Sequence, residues 1–223
     1  MTAIFVISAN DTGVGKTVFT VALARWLRSQ GASFRALKPL CSGGRDDAEA
    51  LQAAQGGGIT LDRVNPWYFR EPLAPPIAAR REGRDIRLAE IIDLVRSHAT
   101  EVETVVVEAA GGLLSPYASD GDALELIEAL DARPILICPN RLGVINQALL
   151  LWRVMPPKIA DRARLVLMTQ AEPDGSAAKN VAYLRQKFGD ESVFEFPHIS
   201  VADSDSEATK RIEGILEKIC ANR

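Results

Sequence analysis

The run Ile4 to Phe19, IFVISANDTGVGKTVF, constrains this chain more than any other stretch. An apolar, β-type segment passes into a turn of small and polar residues, and Gly15-Lys16-Thr17 then opens a helix. That order suits phosphate binding: backbone N–H groups of a tight loop and of a first helical turn converge on an anion, and the helix dipole adds a fixed positive end. In such a loop Lys16 reaches the β and γ phosphates and the Thr17 hydroxyl ligates Mg²⁺. The spacing predicts a nucleotide site at the first strand-to-helix junction. The strict pattern wants Gly where this chain has Asn10. Asn enters the left-handed region more readily than most residues, so the turn is expected to survive.

A chain of 223 residues, 47% hydrophobic and 25% charged, can bury a substantial core, and it is read as one domain over residues 1–223. No apolar run reaches membrane-spanning length, and the N-terminus lacks a basic region followed by an apolar stretch and a small-residue cleavage site. A cytoplasmic location and no membrane partner are expected. Cys41, Cys138 and Cys220 are widely spaced and odd in number, which suits neither a disulfide framework nor a zinc site. A net charge of -3 with scattered Lys and Arg argues against a nucleic-acid surface. The expected partner is a small molecule.

Strand-like and helix-like segments alternate along the chain. Helices are predicted over Val18–Gln30, Asp46–Gln55, Ile77–Glu82, Asp85–Ser97, Asp120–Leu130, Val144–Val154 and Ala177–Phe188, with Gly31 closing the first. Strands are predicted over Ser33–Lys38, Thr104–Val107, Ile135–Cys138, Arg164–Met168 and Val193–Phe196. Thr104–Val107 is the most strongly β-branched run and is expected to be a buried central strand. Asn65 to Pro76 reads as irregular. A last helix, introduced by the capping box Ser204-Asp205-Ser206-Glu207, carries Ala208, Ile212, Ile215 and Ile219 on one face. The pattern predicts an α/β fold: a single doubly wound, mostly parallel sheet with helices on both faces, of the P-loop kind.

In such sheets ligands bind at the carboxyl ends of the strands. Lys38-Pro39 with Ser42-Gly43 follows the second strand, and Glu108-Ala109-Ala110-Gly111-Gly112 follows the β-branched one. Asp47 and Glu108 are placed to give hard oxygen ligands to a nucleotide-borne Mg²⁺. Read alone, Asp47 is equally a helix N-cap and Lys38 equally a solvated strand end.

Asp11-Thr12 with Val14-Gly15-Lys16-Thr17, Lys38-Pro39 with Ser42-Gly43, Asp47-Ala48, Asn65-Pro66 with Phe69, Glu71-Pro72 and Pro75, Val107-Glu108 with Ala110-Gly111-Gly112, and Leu142-Gly143 with Ile145-Asn146 stand in the order and approximate spacing of dethiobiotin synthetases. The chain resembles that family from its start to about Leu151. The resemblance implies an ATP-dependent ligase that closes a cyclic urea from 7,8-diaminononanoate and CO₂, with Mg²⁺, in a homodimer whose substrate lies near the subunit interface. It implies catalytic roles for Lys38, Lys16 and Thr12. Nucleotide contacts would come from Asp11, Thr12, Gly13, Val14, Gly15, Lys16, Thr17 and Val18, with Pro197, His198 and Ile199 beside the base. Substrate contacts would come from Lys38, Ser42, Gly111, Gly143, Val144 and Asn146, and metal contacts from Thr17, Asp47 and Glu108. Ser42 and Thr12 would offer hydrogen bonds to carbamate or phosphate. As a sequence feature alone, Asn146 is equally a helix-start residue.

Three departures stand out. Ala9 and Ala109 occupy positions where the family has Gly, and Met168-Thr169-Gln170 stands where it usually has an adenine-reading Asn. Two other classes fit the same loop: a nucleotide-switched partner-binding ATPase, which usually has a further Lys that Asn10 to Val14 lack, and a related ligase acting on another amine or acid.

Overall fold

The computed structural model describes residues 2–199 and 206–221, with side chains over 2–199 and 209–221. In chain order the elements are β1 (Ala3–Ala9), α1 (Lys16–Ser29), β2 (Phe34–Leu37), β3 (Leu40–Ser42), α2 (Asp46–Ala54), α3 (Leu61–Val64) and β4 (Trp67–Phe69). There follow α4 (Pro75–Arg81), α5 (Leu88–Ala99), β5 (Thr104–Glu108), β6 (Pro116–Ala118), β7 (Gly121–Asp122), α6 (Ala123–Ala129) and β8 (Arg133–Asn140). The chain continues through α7 (Val144–Val154), α8 (Pro157–Ala160), β9 (Arg164–Thr169), α9 (Ala177–Phe188), β10 (Val193–Phe196) and α10 (Ser206–Cys220).

Six strands form one sheet in the order β10-β9-β8-β1-β5-β2, and every pairing in it is parallel. The fold is the expected doubly wound α/β architecture. β1 lies between β5 and β8, so the chain leaves its carboxyl end at the point where the strand order reverses. The strands are apolar on both faces because both are covered. Val6, Val107, Leu136 and Leu167 join the core under α5, α6, α7 and α9. Phe5, Ile7, Val106, Ile137 and Phe196 join the core under α1, α2 and α10. Among the described residues no helix is long and apolar enough to cross a membrane.

Several boundaries differ from the periodicity. β5 reaches Glu108, one residue beyond the β-branched run. The helix expected from Asp120 begins at Ala123, because Asp122 and Glu125 exchange hydrogen bonds of 2.9 Å in a capping box. The helix expected from Asp85 begins at Leu88, whose N–H donates to Asp120. Within the segment read as irregular, Trp67–Phe69 pairs in parallel with Leu40–Ser42. A three-residue parallel pairing between distant segments leaves no periodic trace in either. Of the expected capping box, Ser204 and Asp205 lie outside the described residues, as do the side chains of Ser206, Glu207 and Ala208.

The helix that carries the phosphate loop is anchored by an edge-to-face ring pair, Phe19 on α1 against Phe196 at the end of β10, centroids 5.3 Å apart and both rings fully buried. Phe19→Ala should lower unfolding free energy by about 3–5 kcal/mol, with Phe19→Leu costing distinctly less. Urea denaturation measures this, and an alanine variant within about 1 kcal/mol of wild type would show that α1 is held elsewhere.

Candidate active site

The phosphate loop runs from the end of β1 to Lys16, the first residue of α1. Gly15 caps the helix at φ 102°, a left-handed conformation open to glycine, and a Cβ there would lie 3.1 Å from Met168 Cε. No acidic residue sits in the first turn of α1, so the positive end of its dipole is not neutralised by the helix's own side chains. Asn10 is not in the left-handed region; only Asp131 among the described non-glycine residues has positive φ. Its side-chain amide donates to Gln147 Oε1 on α7 at 2.9 Å instead. The same fact disposes of Ala9 and Ala109, which are buried and need no positive φ.

Lys16 is buried and donates to the carbonyl of Asp11 at 2.9 Å. Burial, then the neighbouring charge of Lys38, pulls its pKa down to about 8. Asp11 Oδ1 accepts the Thr12 N–H at 2.7 Å and so shapes the turn. On the floor, Lys38 Nζ lies 2.5 Å from Glu108 Oε1 and 3.2 Å from Asp47 Oδ2, and Thr17 Oγ1 donates to Glu108 Oε1 at 2.8 Å. Burial disfavours the charge of Lys38, yet Glu108 and then Asp47 outweigh it and raise its pKa above the ordinary value. Partial burial likewise disfavours ionised Asp47, but Lys38 and then the Thr17 hydroxyl hold its carboxyl below the usual range.

These groups line one cavity of about 580 Å³ at the carboxyl end of β1, β2 and β5. Thr12, Gly13, Gly15, Lys16, Thr17 and Val18 form one wall, with Lys38, Ser42, Asp47, Glu108 and Gly111 around the floor. Leu40, Pro72, Leu73, Pro75 and Pro116 give the cavity its apolar lining. Glu108 Oε2 is buried with no hydrogen-bond partner among the described residues. Two carboxylates, one of them with that open oxygen, and a hydroxyl, beside a phosphate loop, fit a small hard cation that takes its other ligands from nucleotide oxygens and water. Among the described residues no group of three or more His, Cys, Asp or Glu is gathered for a metal.

The family model described as AAA domain matches residues 3–206. An ATP-dependent dethiobiotin synthetase of Anaeromyxobacter sp. (strain Fw109-5) is 33% identical over 217 residues, covering 95% of this chain and 97% of that one. Its counterpart in Anaeromyxobacter dehalogenans (strain 2CP-C) is 37% identical over 181 residues, covering 79% and 81%. The chain belongs to the dethiobiotin synthetase family. Among solved structures, the signal recognition particle receptor FtsY of Elizabethkingia anophelis aligns with a TM-score of 0.53 at 12% identity over 97% of this chain and 66% of that one, a likeness of fold alone.

In this dethiobiotin synthetase family member the remaining expected site residues stand apart from the cavity. Asp11 and Val14 belong to the loop but do not line the cavity. Gly143, Val144 and Asn146 lie at the start of α7, after β8, and the Val144 N–H is already donated to Arg141 O at 3.1 Å. Pro197 is half-buried and His198 and Ile199 are exposed past β10, away from the lining. Ser42 lines the cavity, and its Oγ donates to Leu73 O at 2.6 Å. Ser115 was not anticipated; its hydroxyl accepts the Gly112 N–H at 2.9 Å and holds the Gly-Gly turn beside the floor. The pair of glycines before it was the only local signal. Cys41 also lines the cavity, and burial pushes its thiol up to about 11, so it is neutral there.

The lowered pKa of Lys16 has a consequence for binding. Below about pH 8 its ammonium is already charged; above, a bound triphosphate must draw in a proton, so ATP affinity should fall by up to about tenfold per pH unit. Calorimetry in buffers of different ionisation enthalpy reads that proton directly. Lys16→Met should bind weakly at every pH without the slope, and a wild-type affinity flat from about pH 7 to 9.5 would contradict the assignment.

Proposed function

We propose that this chain catalyses ATP-dependent formation of dethiobiotin from 7,8-diaminononanoate and CO₂, releasing ADP and phosphate. The observation that carries the reading is the meeting, in one cavity of a dethiobiotin synthetase family member, of the phosphate-loop Lys16 with a buried Lys38 held between Glu108 and Asp47. The reading takes residues 1–223 as one domain working in the cytoplasm.

One substrate amine adds to CO₂ and loses a proton, giving a carbamate. A carbamate oxygen then takes the γ-phosphoryl group of ATP, and ADP leaves. The second amine attacks the carbonyl carbon of the resulting mixed anhydride and gives up a proton, and phosphate departs as the ring closes. Little covalent work falls to the protein, so it acts by positioning and by neutralising charge. Lys16 would bear on the β and γ phosphates, with loop N–H groups around them. Lys38 would hold the carbamate oxygens, and its cramped seat against Glu108 keeps it protonated for that purpose. Thr12 would donate to carbamate or phosphate. Thr17, Asp47 and Glu108 would hold Mg²⁺, which supplies charge neutralisation at the phosphates when bound. The apolar wall from Pro72 to Pro75 suits the substrate's methylene chain. In the homodimer implied by the resemblance, the first turn of α7, including Gly143, Val144 and Asn146, would reach the distal carboxylate in the neighbouring subunit.

The test is incubation with diaminononanoate, bicarbonate and MgATP, with dethiobiotin as the readout. Lys38→Ala should lower kcat by at least ~10²-fold with the fold intact. Near-normal turnover in that variant would remove Lys38 from the reaction, and phosphate release without dethiobiotin would point to a different amine or acid substrate.

Base selection should be loose. Gln170 folds back to donate to Met168 O at 2.8 Å, and a Thr169 hydroxyl rotates between donor and acceptor, so neither presents the fixed donor–acceptor pair by which a site rejects the wrong base. GTP or CTP should support kcat/KM within about tenfold of ATP at one Mg²⁺ concentration. A preference for ATP above about 100-fold would assign base reading to other groups near Pro197.

A further inference from the structure

Lys38 follows the last residue of β2, Asp47 stands in the first turn of α2, and the short strand β3 lies between them. A buried amide spans the gap from below. Asn65 is fully buried, and its Nδ2 donates to Lys38 O at 2.7 Å and to Pro39 O at 3.1 Å. Its Oδ1 accepts from Arg45 Nε at 3.0 Å, and its backbone carbonyl accepts from Arg45 Nη2 at 2.8 Å. Arg45 is the residue that caps α2, one position before Asp46-Asp47. It is held in turn by Asp62 at 2.9 Å and by the face of Tyr68, 5.7 Å from its centroid. The Lys38 N–H donates to Val64 O at 3.0 Å, which fastens the same two segments a second time.

We infer that Asn65, working through Arg45, is a positioning residue that sets the distance between Lys38 and Asp47 and thereby the competence of the metal–nucleotide site. The chemistry is specific to a carboxamide. Its donor end satisfies two carbonyls on the Lys38 side while its acceptor end takes a guanidinium on the Asp47 side, and the planar group holds the two at one separation. Neither Asn65 nor Arg45 lines the cavity, so both act only through the residues they place. This rests on the roles proposed above for Lys38 and Asp47.

The experiment uses the full chain and reads Mg²⁺-dependent binding of a fluorescent ATP analogue, which needs no turnover, alongside dethiobiotin formation. Arg45→Met, Asp47→Asn and the double variant form a cycle. Arg45→Met should raise the Mg²⁺ concentration for half-maximal analogue binding by about 3- to 10-fold while leaving metal-free analogue binding unchanged. Placed on Asp47→Asn, the same change should add less than about twofold, because the group it positions no longer carries charge. Full additivity would overturn the inference, as would an Arg45→Met titration superimposable on wild type. Asn65→Asp keeps the acceptor for Arg45 but faces the Lys38 and Pro39 carbonyls with oxygen, and should lower kcat by at least about tenfold with a folded circular dichroism spectrum. Wild-type kcat in that variant would also overturn it, and if it fails to fold the Arg45 cycle still decides. A wild-type chain that binds MgATP but makes no dethiobiotin would sink the proposed reaction while the Mg²⁺ cycle remained readable.

Discussion

Everything at this site leans on one buried ion pair. Glu108 has no exposed surface, and a carboxylate taken out of water costs several kcal/mol unless a cation and hydrogen bonds meet it there. Lys38 meets it at 2.5 Å and Thr17 gives it a hydroxyl. The sheet makes that pairing unavoidable. β2 and β5 run parallel and adjacent with Leu37 opposite Val107, so Lys38, just past β2, and Glu108, the last residue of β5, stand at the same level. Because Thr17 follows the phosphate loop directly, the same carboxylate also ties the floor of the cavity to the mouth of α1.

The loop above that floor is held from both sides. Asn10, beyond the end of β1, takes its N–H to Ile137 O on β8 and its side-chain amide to Gln147 on α7. On the other side, Gly112 comes so near that a Cβ there would lie 3.2 Å from Ala9 O. The start of the phosphate loop is thus fixed by a close glycine on one flank and by hydrogen bonds to β8 and α7 on the other. Preorganisation of that kind suits a reaction in which the protein supplies position and charge rather than a covalent partner.

Charge is also distributed with an evident division of labour. Lys16 and Lys38 are both buried at the same cavity, yet they are pushed in opposite directions: Lys16 down, by burial and by the other ammonium, and Lys38 up, because two carboxylates outweigh its burial. One cation is thus permanently charged beside the carboxylates, and the other becomes fully committed to its charge when an anion arrives. The acidic groups are asymmetric in the same way, with Glu108 sealed in and the Asp47 side chain half open to solvent.

The local features of this protein could be read from its residues. The apolar run, the small turn residues and Gly15-Lys16-Thr17 specify strand, loop and helix start through dihedral preference and periodicity, which act over a few neighbours. The placing of Lys38 and Glu108 at strand ends followed from the same kind of pattern, and so did the parallel, two-faced sheet, because its strands are apolar without alternation. What the residues could not disclose were relations between distant segments: the hydrogen bond of Asn10 to Gln147, the donation of the Ser42 hydroxyl to Leu73, the parallel pairing of β3 with β4, and the 2.5 Å contact between residues 70 positions apart. Short-range preference determines which segments become strands and loops. Only the packed sheet decides which of their side chains face one another, since that depends on register and on the whole core beneath it.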